Sequence, residues 1–565
     1  MKSNFIISEY TKYDKNLASY FITSKSLKKD FQKKKYEFPE ELIKDENTLD
    51  EQTDFILEKY EYYKSHLIIK LNEIHEKKFS DMFWTKALNL YFLRLIMSQW
   101  IRFNKFKNFN PKKNKYSIIN EAQYYIPIDT PNSLLNLLNS NFYQEQIFSI
   151  YIKIFYPNIK YNYTEYNIDI LKGLNTNTTY DFSKLKFNEI TILDTHIDAY
   201  EKFNISDYAK YFYLPSLDIS NFSYSKEKRE KLNFSHSLFK DDFDKFFFKS
   251  LKYLLPKSYI EAFSYIYEAY NQIDFSNAKY ILCENWIAND KLSILLAMAK
   301  EQGVLHYALE HGHGHYLKNN YALFAHNMVD KYISYGWKDK RIKNLISTGM
   351  WRLNPEKKYK QNKKKKDILF VCYGNTYLFD SDFLACHNLN NNAQESYYQN
   401  MKKLFKNISH KIKKQILYKE YPLYLGKKRN ISKKFSKIFR NCKILDNNNE
   451  LGYGNLHYIN SSKLIIIGNI GTVFFETLYH NAPVICFYDK DFSFIEKEYI
   501  SIFNRLKEVG ILHTSSYKMA IHLNKIAANP YNWWNNKKVT EARKDFLNIF
   551  SSSHNNFYSF LKDLK

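Results

Sequence analysis

The stretch at residues 463–489 decides the fold class, and it reads KLIIIGNIGTVFFETLYHNAPVICFYD. An apolar run at residues 464–467 breaks at a turn with two glycines, a helical pattern follows at residues 472–480, and a second apolar run occupies residues 484–488. Short continuous apolar runs suit strands that are buried on both faces of a parallel sheet, and the helix between them makes the crossover. The stretch therefore predicts a strand, a turn, a helix and a second strand of an α/β domain.

The turn of this unit, Gly468-Asn469-Ile470-Gly471, has the composition of a phosphate site. Its glycines let the backbone approach a ligand closely, and Thr472 can cap the helix that follows. The amides and the dipole of that helix would then face an anion. The alternative is that Gly468 and Gly471 only make a tight turn.

Two more side chains of the same region suit a nucleotide. Glu476 lies one helical turn past Thr472, where a carboxylate can accept two hydrogen bonds from a ribose diol. Lys419 follows a predicted strand at residues 415–418 and could neutralise phosphate charge. The alternatives are a solvated helix carboxylate for Glu476 and one of many abundant lysines for Lys419.

The composition is that of a large globular protein. The chain has 565 residues, of which 45% are hydrophobic and 18% are aromatic, and this argues against wholesale disorder and for two large domains. The formal net charge of +25 would suit nucleic acid, an anionic membrane surface or an acidic substrate. An AT-rich genome would encode the same excess of lysine, so the charge alone does not select among these partners.

The five cysteines are scattered without CxxC spacing, which is typical of reduced thiols. The chain opens with no signal-peptide pattern, and no run reaches the roughly 18 apolar residues of a membrane span. Residues 83–103 are apolar on more than one helical face, but Arg94, Gln99 and Arg102 interrupt them and favour a buried helix. The sequence therefore predicts a cytoplasmic protein, either free or peripheral at the inner face of the cytoplasmic membrane.

A lysine-rich run at residues 356–366 divides the chain, because like charges in a row resist burial and mark a linker. We expect a first Rossmann-like domain with helical insertions at residues 1–355 and a second Rossmann-like domain at residues 367–550. Residues 551–565 are expected to form a C-terminal tail. The first domain is the expected acceptor side, and the second is the expected nucleotide-sugar side.

The candidate chemistry of the first domain follows two predicted strands, at residues 280–283 and 304–309. The second strand runs into Glu310-His311-Gly312-His313-Gly314-His315, in the region where open α/β sheets bind ligands. Histidines spaced by glycine suit acid–base work or contact with a phosphate, since imidazole changes charge near neutral pH. A metal site and a structural role at a domain interface are the alternatives.

Two carboxylates on the preceding loop are further candidates. Asp290 could act on an acceptor hydroxyl or serve as a nucleophile, and Glu284 is a second candidate for these roles. The alternative for Asp290 is a residue at a helix start that the helix dipole favours.

Two α/β domains with a basic linker, a histidine loop in one and a glycine turn with a helix in the other, describe a GT-B-like glycosyltransferase. Such an enzyme has two Rossmann-like domains that face a cleft, here with extra N-terminal helices. Several pieces also resemble a family of surface-carbohydrate transferases of the Leptospira type. They are the helix at residues 83–103, EHGHGHY at 310–316, KYISYGW at 331–337, GNIGTVFFETLYHNAPVICFYD at 468–489, and LKEVGILH and NWWNNKKVTEARKDF within 506–546.

The resemblance implies a GT-B-like transferase of bacterial cell-surface polysaccharide synthesis, as for lipopolysaccharide or capsule. The His-Gly loop and the Gly-Thr helix start look like the layout of transferases that use CMP-activated ulosonic acids, such as Kdo and sialic-acid-like sugars. The family's loop is usually His-Gly-Gly, so His311 matches it and His313 departs from it. The resulting hypothesis has catalytic residues Asp290, Glu310 and His311, and donor-binding residues His313, His315, Gly468, Asn469, Gly471, Thr472, Glu476 and Lys419.

We expect no cofactor and no metal besides the nucleotide-sugar donor, because a helix start and imidazoles can offset the charge of the leaving group. The expected acceptor is a glycan, a glycolipid or a glycoprotein, and no nucleic acid is expected. A nucleoside-diphosphate sugar or a CDP-activated polyol is the alternative donor. A basic nucleic-acid-binding protein is the alternative from another class.

Overall fold

The structure is a computed structural model, and three parallel sheets organise it. It describes residues 3–8, 11, 17–21, 36–37, 40, 42–165, 168, 170, 181–193, 206–215, 217–284, 289–312, 314–318, 321–351, 359–372, 392–419, 438–439, 442–445, 455–490, 494–551 and 555–565.

A small sheet and four helices form the amino-terminal part. The strands pair in the order β3-β2-β1-β4, and all of the pairs are parallel. The elements are β1 (Ser3–Ile6), β2 (Ala18–Phe21), β3 (Tyr36–Glu37), α1 (Glu46–His75), α2 (Asp81–Phe106), β4 (Asn114–Lys115), α3 (Thr130–Asn139) and α4 (Asn141–Phe155).

Helix α2 contains the predicted buried helix, and Arg102, one of its polar residues, is hydrogen-bonded inside the protein. Arg102 is fully buried. Its Nε donates to Oε1 of Gln144 at 2.8 Å, and its Nη1 donates to the carbonyl of Ser98 at 2.9 Å. Among the described helices, none is both long enough and apolar enough to cross a membrane.

The first six-stranded sheet has the order β10-β9-β8-β7-β5-β6, again parallel throughout. Its strands β7 and β8 are neighbours, with Cys283 opposite Ala308. The elements are β5 (Ile190–Leu193), β6 (Lys210–Phe212), α5 (Lys226–Glu230), α6 (Asp242–Leu254), α7 (Phe263–Tyr270), β7 (Tyr280–Cys283), α8 (Asp290–Glu301), β8 (Leu305–Leu309), α9 (Tyr321–Ala325), β9 (Lys331–Ser334) and β10 (Leu345–Ser347).

The second six-stranded sheet has the order β13-β12-β11-β14-β15-β16 and is parallel as well. The order reverses between β11 and β14, and open α/β sheets bind ligands at such a reversal. The elements are β11 (Ile368–Val371), α10 (Asn392–Asn407), α11 (His410–Lys413), β12 (Ile416–Lys419), β13 (Lys443–Ile444), α12 (Asn455–Ser461), β14 (Leu464–Ile467), α13 (Thr472–Tyr479), β15 (Val484–Phe487), α14 (Ile500–Glu508), β16 (Leu512–His513), α15 (Ser516–Ile526), α16 (Pro530–Trp534), α17 (Lys537–Phe550) and α18 (Asn555–Leu564).

The last helix, α18, returns to the first six-stranded sheet. Phe557 and Leu561 share a buried cluster with Ile192 and Leu282 of that sheet. The stretch expected to be a tail thus contains a helix that packs on the first sheet. The predicted fold class, α/β with two Rossmann-like sheets and extra N-terminal helices, is confirmed.

Candidate active site

His311 and Glu284 meet at the carboxyl ends of the neighbouring strands β7 and β8. Glu284 follows β7 directly, and its side chain is fully buried. His311 follows β8 by two residues, its side chain is 56% exposed, and its Nδ1 lies 3.0 Å from Oε1 of Glu284. An exposed imidazole next to a buried carboxylate can act as a general base, because the carboxylate orients the ring and stabilises its protonated form.

Glu310 and His315, two other predicted site residues, lie in the interior instead. Oε2 of Glu310 accepts from the backbone amide of Tyr335 and from Nε1 of Trp337, each at 2.8 Å. Nδ1 of His315 lies 3.1 Å from Oε1 of Glu310, and its ring stacks on Trp337. Burial lowers the pKa of His315 well below its usual range, so the ring is neutral. These two residues fix the path of the loop.

The chain after the histidine loop joins the first domain to the second. The backbone amide of Glu496 donates to the carbonyl of Tyr316 at 2.9 Å, and that of Lys318 donates to the carbonyl of Phe494 at 3.0 Å. The buried hydroxyl of Tyr316 donates to the carbonyl of Ile470 at 3.3 Å. The loop that carries His311 is therefore tied to the glycine turn of the second domain.

Gly312 brings the two sets of predicted residues together. A Cβ at this position would lie 2.8 Å from Oγ1 of Thr472, which is closer than such atoms approach in proteins. Only glycine lets the loop come this near to the start of α13. The loop that carries His311 therefore touches the start of α13 in the second domain.

The glycine turn has the local structure of an open helix start. The side-chain oxygen of Asn469 accepts from the backbone amide of Ile470 at 2.9 Å and orders the turn. Gly471 holds the N-cap position and Thr472 is the first residue of α13, so the expected capping by Thr472 does not occur. No side chain in the described ranges caps this helix. Its first amides can therefore serve an anion.

Gly468 and Lys419 lie at the carboxyl edge of the second sheet. The amide of Gly468 donates to the carbonyl of Val371 across the strand-order reversal. Lys419 ends β12, is buried, and has its Nζ 4.7 Å from the centre of the Tyr458 ring. Glu476 lies half-buried one turn into α13. His313 lies outside the described residues.

Asp290 lies in the interior of the protein. It is the first residue of α8 and is fully buried. Its Oδ2 accepts from the amide of Thr130 at 3.0 Å and from the hydroxyl of Ser258. Burial and the charge of Asp129 raise the pKa of Asp290. The Asp290 carboxylate links the start of α8 to the segments of Thr130 and Ser258, and it is closed off from solvent. Of the two acidic residues, Glu284 is the one that contacts His311.

The described histidines of the loop contact different carboxylates, Glu284 for His311 and Glu310 for His315. Within the part of the chain that the structure describes, no group of three or more His, Cys, Asp or Glu side chains could hold a metal ion.

The buried Glu284 carboxylate yields a direct prediction. We expect Glu284→Gln to lower kcat at least about tenfold with little change in KM, because the imidazolium that forms during proton transfer loses its counter-charge. Initial rates over a range of donor concentrations measure both constants. Glu189→Gln is the matched control, because Glu189 precedes β5 at the amino end of the same sheet. An unchanged kcat for Glu284→Gln would show that Glu284 does not take part in the reaction.

Two parallel six-stranded sheets, with an imidazole after a strand of one and an open helix start after a strand of the other, define an α/β protein of two Rossmann-like sheets. The chain belongs to the LIC12162 family of transferases, whose profile matches residues 11–564. The predicted enzyme class, a transferase, is confirmed. No curated protein matches the chain.

Several solved structures are similar at low identity. S. aureus TarM, solved with UDP, is 12% identical with a TM-score of 0.32, over 53% of this chain and 57% of that one. Acinetobacter baumannii MurG is 10% identical with a TM-score of 0.34, over 66% of this chain and 99% of that one. Neisseria meningitidis UDP-GlcNAc 2-epimerase, bound to UDP-GlcNAc, is 11% identical with a TM-score of 0.34, over 65% and 99%. Similarity at this level identifies neither a donor nor an acceptor for this chain.

Proposed function

We propose that the protein is a GT-B-like glycosyltransferase that moves a sugar from a nucleotide donor to an acceptor hydroxyl. The observation that supports the proposal is the approach of Gly312 to Thr472, which brings the loop that carries His311 against the start of α13. A nucleotide sugar has a phosphate for the helix start and a reactive carbon next to it.

In the proposed reaction the acceptor oxygen forms a bond to the anomeric carbon of the donor. Its proton passes to Nε2 of His311, and Glu284 stabilises the imidazolium that results. The bond from the anomeric carbon to the donor phosphate breaks, and its electron pair stays on the phosphate oxygen. The first amides of α13 stabilise this charge, so the chain's own groups serve both ends of the transfer.

The donor's nucleoside lies along the second sheet in this proposal. Glu476, one turn into α13, accepts hydrogen bonds from the ribose diol, and Lys419 adds positive charge near the phosphate. Asn469 and Gly471 shape the turn beneath the phosphate. The proposed roles rest on the positions of these residues. Lys419 ends β12, and Asn469, Gly471 and Glu476 follow β14.

We further propose a CMP-activated ulosonic acid, Kdo or a sialic-acid-like sugar, as the donor, and a bacterial cell-surface glycan as the acceptor. The support is the resemblance of the His-Gly loop and the Gly-Thr helix start to the layout of such transferases. A nucleoside-diphosphate sugar or a CDP-polyol is the alternative donor, because helix starts of this kind also bind a diphosphate.

Thermal unfolding with CMP, CDP, UDP and GDP tests the donor class. We expect CMP alone to stabilise the protein, by about 2.7 kcal/mol at a hundredfold excess over its dissociation constant. Glu476→Gln should reduce this stabilisation, because the ribose loses a charged acceptor. Ser461→Ala, on the exposed end of α12, is the matched control. Stabilisation by UDP or GDP in place of CMP would contradict the CMP donor while leaving the transferase proposal intact.

A further inference from the structure

A groove of about 590 Å³ lies among the amino-terminal helices, outside the candidate active site. Aromatic rings and two carboxylates line it, among them Phe55, Trp100, Phe155, Tyr156, Asp241 and Asp242. Its volume lies within the range of small-molecule sites, which combine apolar walls with a few placed polar groups.

Helix α1 contacts the segment that follows the histidine loop and also lines the groove. Lys318, at the end of the segment that follows the histidine loop, pairs with Asp50 at 2.7 Å and lies 3.4 Å from Glu46. Phe55 follows Asp50 on the same helix by five residues, a rise of about 8 Å. The groove therefore begins close to the segment that joins the two domains.

Helix α2 packs on α8 before a kink and lines the groove after it. Ser80 contacts Glu301 at the end of α8, and Asn89 donates to Ser293 nearer to its start, so residues 80–89 run antiparallel to α8. The helix is kinked at Asn89, whose φ and ψ are 42° and −155°. Trp100 follows the kink and packs with Phe55 of α1 and Phe243 of α6 at the groove.

The chemistry of the groove suits a polyhydroxylated ligand. Nζ of Lys107 lies 5.2 Å from the centre of the Trp100 ring, and Nζ of Lys245 lies 5.0 Å from that of Phe155. Such contacts are weak at exposed sites, so a flat sugar face can take the place of a lysine on the ring. Asp242 is exposed at the rim, and a carboxylate accepts hydrogen bonds from hydroxyl groups.

We propose that this groove binds the glycan part of the acceptor. The role rests on the proposed glycosyltransferase function, and the groove would hold sugar residues of the acceptor that lie away from the reacting hydroxyl. A lipid tail fits less well, because it would desolvate the exposed carboxylate of Asp242 and the ion pair between Asp241 and Lys59.

A glycan array of defined bacterial oligosaccharides, probed with the labelled full chain, tests the proposal. We expect the wild type to bind at least one oligosaccharide, and Trp100→Ala and Asp242→Ala to lower that binding at least tenfold. The centres of the Trp100 and Phe55 rings lie 4.4 Å apart, so Trp100→Ala also removes packing. Asp242→Ala changes an exposed position and tests the groove if the tryptophan variant fails to fold. Tyr517→Ala, which removes an exposed ring in the second domain, should bind as the wild type does.

Undiminished binding by Asp242→Ala, or no oligosaccharide bound by the wild type, would overturn the proposal. Loss of glycan binding in the groove variants together with no stabilisation by any nucleotide would leave the glycan site standing and refute the proposed transfer function.

Discussion

His311→Ala is expected to lower the rate of sugar transfer by about 100- to 10,000-fold, the usual contribution of a positioned acid or base. The side chain is 56% exposed, so its removal deletes little packing, although it takes one contact away from the buried Glu284 carboxylate. The loss should therefore appear mainly in kcat, with at most a small fall in the melting temperature. Product formation followed by mass spectrometry, with thermal unfolding in parallel, measures both quantities.

The matched control for this change is His236→Ala, which removes an exposed histidine elsewhere in the first domain. It should retain full turnover. Turnover by His311→Ala at a rate near that of the wild type would contradict the assignment of His311 as the base.

Gly312→Ala is expected to lower turnover by about 100-fold, because a misplacement of about 1 Å between reacting groups is enough for such a loss. The new Cβ would lie 2.8 Å from Oγ1 of Thr472, and the loop and the start of α13 must move apart. Thr472 is β-branched and short, so its side chain has little freedom to give way. Initial rates and nucleotide affinity measure the effect.

Gly314→Ala is the matched control, since a Cβ at that glycine has no heavy atom within 4 Å. It should leave turnover within about twofold, because the groups that react would keep their positions. Adding Thr472→Ala to Gly312→Ala should recover part of the loss, since the contact is then removed. Wild-type turnover by Gly312→Ala would show that the loop and α13 do not act together.

Much of the two six-stranded sheets could be predicted, because continuous apolar runs that end at glycine or at polar residues are a strong signal. The sequence predicts strands at residues 280–283 and 464–467, and the structure has strands with the same bounds, Tyr280–Cys283 and Leu464–Ile467. Burial on both faces demands such runs and leaves little freedom in where they end.

The amino-terminal sheet could not be predicted from local patterns. β1 pairs with β2 and with β4, which begins more than a hundred residues later, and β3 and β4 have only two residues each. Strands this short carry no periodic pattern, and pairing between distant segments leaves no local signal. The return of α18 to the first sheet escaped prediction for the same reason.

At the candidate site, residue type and position along a strand could be predicted, whereas burial could not. His311 follows a strand and is flanked by glycine, and its side chain is exposed as this position predicts. Asp290 and Glu284 are both acidic residues of one loop, but only the structure shows that Asp290 binds Ser258 and the amide of Thr130. The choice between them depends on helices far away in sequence.

The central claim is that the histidine loop and the start of α13 form one site of sugar transfer. The most direct test is mass spectrometry of reactions that contain CMP-Kdo or a CMP-sialic acid and a bacterial cell-envelope extract, run with wild type, His311→Ala and Gly312→Ala. We predict that the wild type releases CMP and adds one sugar residue to an acceptor, and that both variants lose this product. Equal product from the wild type and His311→Ala, or no glycosylated product from the wild type with any nucleotide sugar, would contradict the claim.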